Sequence, residues 1–206
     1  MTLKLWSPIY WPAQFLLLLL WLLTYLPFSW QLNIGRALGC LLKWVLKSRR
    51  HIVRRNLAAC FPELNHQVRE QLFHDTFASL GMGFMEANFA WHGSQRRFLK
   101  VLSFDLQGYE NFEKISGLGR GVIFLSAHLV VLELMARYFS QDHSFAAVYR
   151  KQKKAVFEQI ITGGRNRYIH HLIDRTDLRG IIKWLRDGEM LWYAPDQDFG
   201  PKRSVS

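Results

Sequence analysis

The feature that most constrains this chain is a stretch near its N-terminus that contains no charged side chain. No Lys, Arg, Asp or Glu occurs from Leu5 to Gly35, and residues 15–23 read FLLLLLWLL. A helix needs about 20 mostly apolar residues to cross a bilayer, and Trp11 to Trp30 supplies them with an aromatic residue at each end. A buried core helix would keep a polar face, and bulky residues stand where a signal peptide would need a small-residue cleavage site. We therefore predict a transmembrane anchor over residues 1–35.

The positive charge of the chain is concentrated directly after this stretch. Residues 1–62 contain eight of the 27 Lys and Arg residues and none of the 16 Asp and Glu residues, which is +8 of the formal net charge of +11. The positive-inside rule puts this basic flank in the cytoplasm and Lys4 outside. Because apolar residues are interleaved with the basic ones, we predict a basic interfacial helix over residues 36–62. Nucleic acid could bind the same residues, but it is the weaker partner for a chain anchored in a bilayer, so none is expected.

The remaining residues, 63–206, show short apolar runs that alternate with helical patterns. Asn65 is a candidate N-cap for a helix to about Trp91. Strands are predicted over Val101–Leu106, Val122–Leu125, Phe145–Tyr149 and Met190–Ala194, with helices over Tyr109–Ile115, Leu129–Phe139, Ala155–Arg167 and Leu178–Arg186. This alternation predicts an α/β domain with an open, mostly parallel sheet and flanking helices. Because the chain stops shortly after a strand, we expect the domain to be incomplete at its C-terminus.

Candidate catalytic residues lie where a predicted strand ends, the place where open α/β sheets bind ligands. His128 follows the strand Val122–Leu125, and among the eight histidines it alone has an acidic residue, Glu133, five positions later. If His128 lies on the turn and Glu133 in the first turns of the helix, the carboxylate can orient the imidazole as a general base. A purely structural histidine is the alternative. No G-x-S-x-G motif occurs, so direct transfer is favoured over a covalent intermediate.

Other strand ends carry residues suited to anions. Arg150 follows Phe145–Tyr149, and its guanidinium can bind phosphate through two hydrogen bonds, whereas Lys151, Lys153 and Lys154 could equally form a solvated face. The sequence Asp196-Gln197-Asp198 could bind a metal, position a substrate hydroxyl or only cap backbone. The adjacent pair His170-His171 has no acidic residue at ligand spacing, so no metal is expected. The glycines after Thr162 match no nucleotide-binding motif.

Several motifs occur together in an order that resembles one enzyme family. They are Arg54-Arg55-Asn56-Leu57, Cys60-Phe61-Pro62-Glu63, Gly81-Met82-Gly83-Phe84-Met85-Glu86, Gly119-Arg120-Gly121-Val122-Ile123, His128 with Glu133, Val148-Tyr149-Arg150, Leu172-Ile173-Asp174-Arg175, and the segment from Trp192 to Pro201. The chain resembles the late acyltransferases of lipid A biosynthesis, in particular the lauroyltransferase branch, within the lysophospholipid/glycerolipid acyltransferase superfamily.

The resemblance implies transfer of a fatty acyl chain, lauroyl in that branch, from acyl-[acyl carrier protein] to a hydroxyl of Kdo2-lipid IV(A). It implies that His128 deprotonates the hydroxyl, that Glu133 stabilises the imidazolium, and that Arg150, Arg175 and Asp196 contact the substrates and their phosphates. No cofactor is expected. The implied partners are acyl carrier protein, a phosphorylated glycolipid and inner-membrane lipids.

The resemblance also implies a location and leaves two alternatives. The expected location is the bacterial inner membrane, with a single-pass anchor and the catalytic domain on the cytoplasmic side. The alternatives are a truncated, inactive membrane-tethered binding module and a glycerolipid acyltransferase of the same superfamily.

Overall fold

The computed structural model of the chain describes residues 11–196, apart from the side chain of Ala155. These residues form two compact units, 11–101 and 102–196, which we call the helical unit and the α/β unit. The helical unit contains α1 (Trp11–Leu23), α2 (Phe28–Val45), α3 (Lys47–Cys60), α4 (His66–His92) and α5 (Gln95–Val101). The α/β unit contains α6 (Tyr109–Ser116), β1 (Val122–Leu125), α7 (Leu132–Phe139), β2 (Ala146–Tyr149), α8 (Ala155–Arg165), β3 (His171–Asp174), α9 (Leu178–Arg186) and β4 (Met190–Tyr193).

The predicted transmembrane helix is wrong, because the apolar stretch is divided between two helices. α1 ends at Leu23, and α2 begins after Pro27, a residue that fits the start of a helix but disrupts its interior. The 13 residues of α1 extend about 20 Å, less than the roughly 30 Å of a bilayer core, and α2 carries Arg36 and Lys43. Among residues 11–196, no helix combines the length and the apolar character that a membrane crossing requires. The first ten residues of the predicted anchor lie outside the described part.

Polar side chains of the helical unit stabilise the break between α1 and α2. The amide of Asn88 donates from Nδ2 to the carbonyl of Leu20 (2.8 Å). The carbonyl of Leu26 accepts from Gln31 Nε2 (3.0 Å) and from Arg97 Nη2 (2.9 Å). Carbonyls at a helix end have no partner within the helix, so these donors satisfy groups that an unbroken helix would have paired internally.

The basic segment predicted as one helix over residues 36–62 is also divided. α2 ends at Val45 and α3 begins at Lys47, with Leu46 between them in a non-helical conformation. In α3, Arg54 forms an ion pair with Glu70 of α4 (2.9 Å) and its guanidinium lies 4.1 Å from the centre of the Phe73 ring. The contact of these helices with lipid headgroups stays a prediction.

The long helix α4 confirms the predicted N-cap at Asn65, whose side chain accepts a hydrogen bond from the backbone of Val68 (2.9 Å). α4 packs closely on α2 where three glycines meet. A Cβ atom on Gly81 would lie 2.0 Å from the carbonyl oxygen of Gly35 and 2.5 Å from the nitrogen of Gly39. The two backbones therefore approach each other at a distance that excludes any side chain. Beside this crossing, α4 contributes buried apolar side chains, namely Phe73, Phe77, Met85 and Phe89.

The α/β unit confirms the predicted open parallel sheet with flanking helices. Its strand order is β1-β4-β2-β3, and every neighbouring pair is parallel. Ala136, Phe139, Phe145 and Trp192 form the core on one face of the sheet. On the other face, Leu191 and its buried neighbours pack against α9. The sequence did not predict β3, and its predicted strand over Val101–Leu106 is wrong, since α5 ends at Val101 and irregular backbone follows.

Candidate active site

Four candidate residues follow the four strands of the sheet. Arg150 and Arg175 come directly after β2 and β3, and His128 and Asp196 come three residues after β1 and β4. The carboxyl ends of parallel strands meet at one edge of a sheet. Because β1 and β4 are neighbours, and the amide of Ser126 continues their pairing by donating to the carbonyl of Tyr193 (2.8 Å), the loops that carry His128 and Asp196 leave the sheet side by side.

Asp196 contacts His128 through both carboxylate oxygens. The Nδ1 atom of the imidazole lies 2.6 Å from Oδ1, and the backbone N–H of His128 donates to Oδ2 (2.8 Å). These hydrogen bonds from the His128 side chain and backbone lower the pKa of Asp196 below its ordinary value. An ionised carboxylate only accepts hydrogen bonds, so it holds the proton on Nδ1 and leaves Nε2 as the basic nitrogen. Both side chains are partly exposed.

Glu133, the predicted partner of the imidazole, binds a different pair of residues. It lies in the first turn of α7 and is 9% exposed. Its carboxylate accepts hydrogen bonds from Arg165, including one from Nε (3.0 Å), and from the Tyr168 hydroxyl (2.6 Å). The imidazole forms its hydrogen bond with Asp196 instead, because the strand order brings β4 next to β1. The structure therefore differs from the predicted pairing of His128 with Glu133.

One cavity of about 330 Å³ brings most of the predicted site residues together. Its lining includes His128, Glu133, Arg150, Arg175 and the unpredicted Arg165, together with the apolar side chains of Phe145, Ala147 and Trp192. Asp196 holds the imidazole but is not among the lining residues. The cavity thus combines a basic nitrogen, a carboxylate and three guanidinium groups with an apolar wall. Such an arrangement suits a substrate that has both anionic and hydrocarbon parts.

Two further carboxylates fix the loop that follows β2. Glu158 of α8 accepts from the Tyr149 hydroxyl (3.0 Å) and from the backbone N–H of Gln152 (2.7 Å). Burial raises the pKa of Tyr149 to about 12, and its hydrogen bond to Glu158 is the second largest cause of this rise. Asp174, at the end of β3, accepts from the backbone N–H of Lys151 (3.3 Å). The loop that carries Arg150 is therefore held at two points.

Arg165, Tyr168 and Glu158 were not found from the sequence. Arg165 and Tyr168 lie 32 and 35 positions after Glu133, so no local spacing indicates their contact. Asp174 was part of a quoted motif, but its bond to the Lys151 backbone depends on the pairing of β2 with β3. Among residues 11–196, no three His, Cys, Asp or Glu residues are placed to hold a metal ion. Asp198, the other acidic residue of the predicted turn cluster, lies outside the described residues.

Comparison with known proteins places the chain in a family. The family model described as bacterial lipid A biosynthesis acyltransferase matches residues 2–206. The chain is 37% identical over 198 residues to the lipid A biosynthesis lauroyltransferase of Escherichia coli K12, and 36% identical over 197 residues to the palmitoleoyltransferase of the same organism. Each match covers 96% of this chain and 64% of the relative. It is also 33% identical over 175 residues to the E. coli lipid A biosynthesis myristoyltransferase, covering 84% of this chain and 52% of that protein. The chain therefore belongs to the bacterial lipid A biosynthesis acyltransferase family.

Proposed function

We propose that this protein transfers a fatty acyl chain from acyl-[acyl carrier protein] to a hydroxyl group of Kdo2-lipid IV(A). The observation that carries the proposal is the His128–Asp196 pair at the edge of a cavity that also contains Glu133 and three arginines. Family membership supports the acyl transfer, and the proposed acyl chain is lauroyl. The chain spans less than two thirds of its curated relatives, so the activity of the whole protein is part of this proposal.

The proposed reaction uses His128 as the general base. Nε2 accepts the proton of the acceptor hydroxyl while the oxygen attacks the thioester carbonyl and forms the new C–O bond. The tetrahedral intermediate then collapses, the C–S bond breaks, and the imidazolium returns the proton to the leaving sulfur. A thiol with a pKa of about 8.5 leaves readily. Asp196 keeps the required tautomer through its hydrogen bond to Nδ1, the role that an orienting carboxylate has in histidine-based catalysis.

The other charged groups of the cavity have proposed roles in binding and charge stabilisation. The negative charge of Glu133 favours the imidazolium that forms during transfer, and its bonds to Arg165 fix that guanidinium in the cavity wall. Arg150 and Arg175 would bind phosphate groups of the donor or the acceptor. A guanidinium near the reacting carbonyl also stabilises the negative charge that develops on its oxygen.

Access to a lipid acceptor is proposed to come from surface association of the helical unit with the inner membrane. This unit exposes large apolar side chains, among them Trp11, Phe15, Trp30 and Trp44, which are 61–70% exposed. Exposed aromatic and aliphatic side chains close in sequence to basic residues are typical of proteins that bind the interfacial region of a bilayer. The proposed side is the cytoplasmic one, where acyl carrier protein is available.

The proposed function is tested by assaying transfer of radiolabelled lauroyl from acyl carrier protein to Kdo2-lipid IV(A). His128→Ala should reduce turnover by at least 100-fold and Asp196→Asn by at least tenfold, since positioned acid–base groups contribute about 10²–10⁴-fold. His170→Ala, an exposed histidine between α8 and β3 that does not line the cavity, is the control and should keep full activity.

Retained turnover in His128→Ala would refute the mechanism. Transfer to lysophosphatidate but not to Kdo2-lipid IV(A) would instead identify a glycerolipid acyltransferase. An inactive unsubstituted protein that still binds the glycolipid would indicate a binding module.

A further inference from the structure

Four cations lie together in the loop between β2 and α8. Arg150, Lys151, Lys153 and Lys154 are all exposed, and with Phe157 they line a surface hollow of about 350 Å³. We call residues 150–154 the basic loop. Within the part of the chain that the structure describes, none of its four cations forms an ion pair. Unpaired cations at this density repel one another, so the loop favours an anionic partner.

The carboxylates next to the basic loop do not neutralise it. Glu158 accepts hydrogen bonds from the Tyr149 hydroxyl and the Gln152 backbone. Asp174 accepts from the backbone N–H groups of Lys151 and Thr176 and from the Thr176 hydroxyl. Both acids therefore hold the loop backbone in place while the cationic side chains remain exposed to solvent. A fixed backbone lowers the entropy that is lost when a partner binds.

The basic loop is also connected to the candidate active site. Arg150 and Gln152 line both the surface hollow and the cavity that contains His128. An anionic molecule bound at the lysines is therefore adjacent to the opening of that cavity. A flexible arm that extends from such a molecule can reach the cavity without leaving the protein surface.

The composition of the surface distinguishes an acidic protein from a bilayer. Surfaces that bind an interface interleave apolar side chains with basic ones, whereas the large apolar side chain exposed in this hollow is that of Phe157. We propose that the basic loop is the docking surface for the acidic carrier protein that presents the acyl thioester. This inference rests on the proposed function and assigns the donor's protein portion to the surface beside the cavity, with Arg150 shared between the two.

The test compares two charge reversals of equal size. Lys153→Glu with Lys154→Glu changes the basic loop, and Lys183→Glu with Arg186→Glu changes two exposed cations of α9 as the control. Each double variant is assayed with lauroyl-[acyl carrier protein] and with lauroyl-pantetheine, which lacks the carrier protein. The binding of fluorescently labelled acyl carrier protein is measured in parallel by anisotropy.

We expect the loop variant to raise KM for the carrier-protein donor at least tenfold, and at least fivefold more than KM for lauroyl-pantetheine. The Kd for the labelled carrier protein should rise by a similar factor. Both effects should shrink in 0.5 M NaCl, because salt screens exposed charges. The control variant should stay within twofold of the unsubstituted protein.

Three results would overturn the inference. These are an equal rise in KM for both donors, a carrier-protein Kd that matches the control, and weakened binding to phosphatidylglycerol vesicles with unaltered carrier-protein binding. A protein that binds carrier protein through the loop but transfers no acyl chain would leave the docking surface established and would refute the proposed transfer. Normal transfer by loop variants that behave like the unsubstituted protein would support the proposed transfer and would refute the docking surface.

Discussion

Replacing Gly81 by alanine tests whether the close crossing of α2 and α4 is structurally required. The added Cβ would lie 2.0 Å from the carbonyl oxygen of Gly35, whereas ordinary van der Waals contacts begin at about 3.4 Å. The atoms that this Cβ would meet, the oxygen of Gly35 and the nitrogen of Gly39, belong to the backbone of α2. The two helices must therefore separate by more than 1 Å. Overpacking of this kind costs about 1–3 kcal/mol and occasionally more. A 2.0 Å contact with backbone puts the cost at the upper end of this range, about 3 kcal/mol. Alanine gains about 1 kcal/mol of intrinsic helix propensity over glycine, so we expect a net destabilisation of about 2 kcal/mol.

Gly163 offers a matched control, because it lies in the helix α8 with no atom within 4 Å of a Cβ added there. Gly163→Ala gains the same propensity without a clash and should stabilise the protein by up to about 1 kcal/mol. The same substitution is thus expected to have opposite effects at the two positions. Unfolding in urea, followed by circular dichroism and tryptophan fluorescence, measures both free energies. A Gly81→Ala protein as stable as the unsubstituted one would refute the argument from backbone contact.

Three further substitutions have expected outcomes. Asn65→Ala removes the cap of α4 and should lower the free energy of unfolding by about 1 kcal/mol in urea titrations. Burial raises the pKa of Glu86 above its ordinary value of 4.5, so the folded protein binds this proton more tightly than the unfolded chain does. The resulting contribution to stability is complete below pH 4.5 and is lost as the pH rises through the raised pKa of the folded state. In Glu86→Gln this decline should be reduced in melting temperatures measured at a series of pH values from acid to neutral. Phe145→Ala empties a fully buried position and should cost about 3–5 kcal/mol, so a melting temperature close to that of the unsubstituted protein would contradict the assigned core.

The sequence predicted most reliably those elements whose signal is local. The strand Val122–Leu125 and the helix Leu178–Arg186 have the predicted bounds, because an unbroken apolar run and a short amphipathic pattern are each visible within ten residues. β3 was missed because His171 and Asp174 at its ends are polar, which hides a strand of four residues. The transmembrane prediction failed for a related reason. A hydropathy argument counts the apolar side chains on both sides of Pro27 as one segment. The donors that stabilise the break, Asn88 and Arg97, lie about 70 residues away in the sequence from the carbonyls that they bind.

The candidate site shows the same division between local and distant information. Position after a strand selected Arg150, and position together with the spacing to Glu133 selected His128, because the carboxyl end of a strand is recognisable from the chain itself. The partner of the imidazole was not, since Asp196 is 68 residues from His128 and its proximity depends on β4 lying between β1 and β2. Glu133 satisfied the spacing rule, yet its hydrogen bonds to Arg165 and Tyr168 depend on how α7 meets the residues around the end of α8.

The strand order has a consequence for how the protein is made on the ribosome. β4, the last of the four strands to be synthesised, occupies an inner position and is the strand through which β1 joins the sheet. Among the strands of residues 11–196, β1 pairs with β4 alone. Until Met190–Tyr193 has left the exit tunnel, β1 lacks this partner and presents unsatisfied backbone groups, a state prone to aggregation. β1 therefore lacks this partner while residues 126–189 are synthesised, and His128 meets Asp196 only after β4 has been inserted.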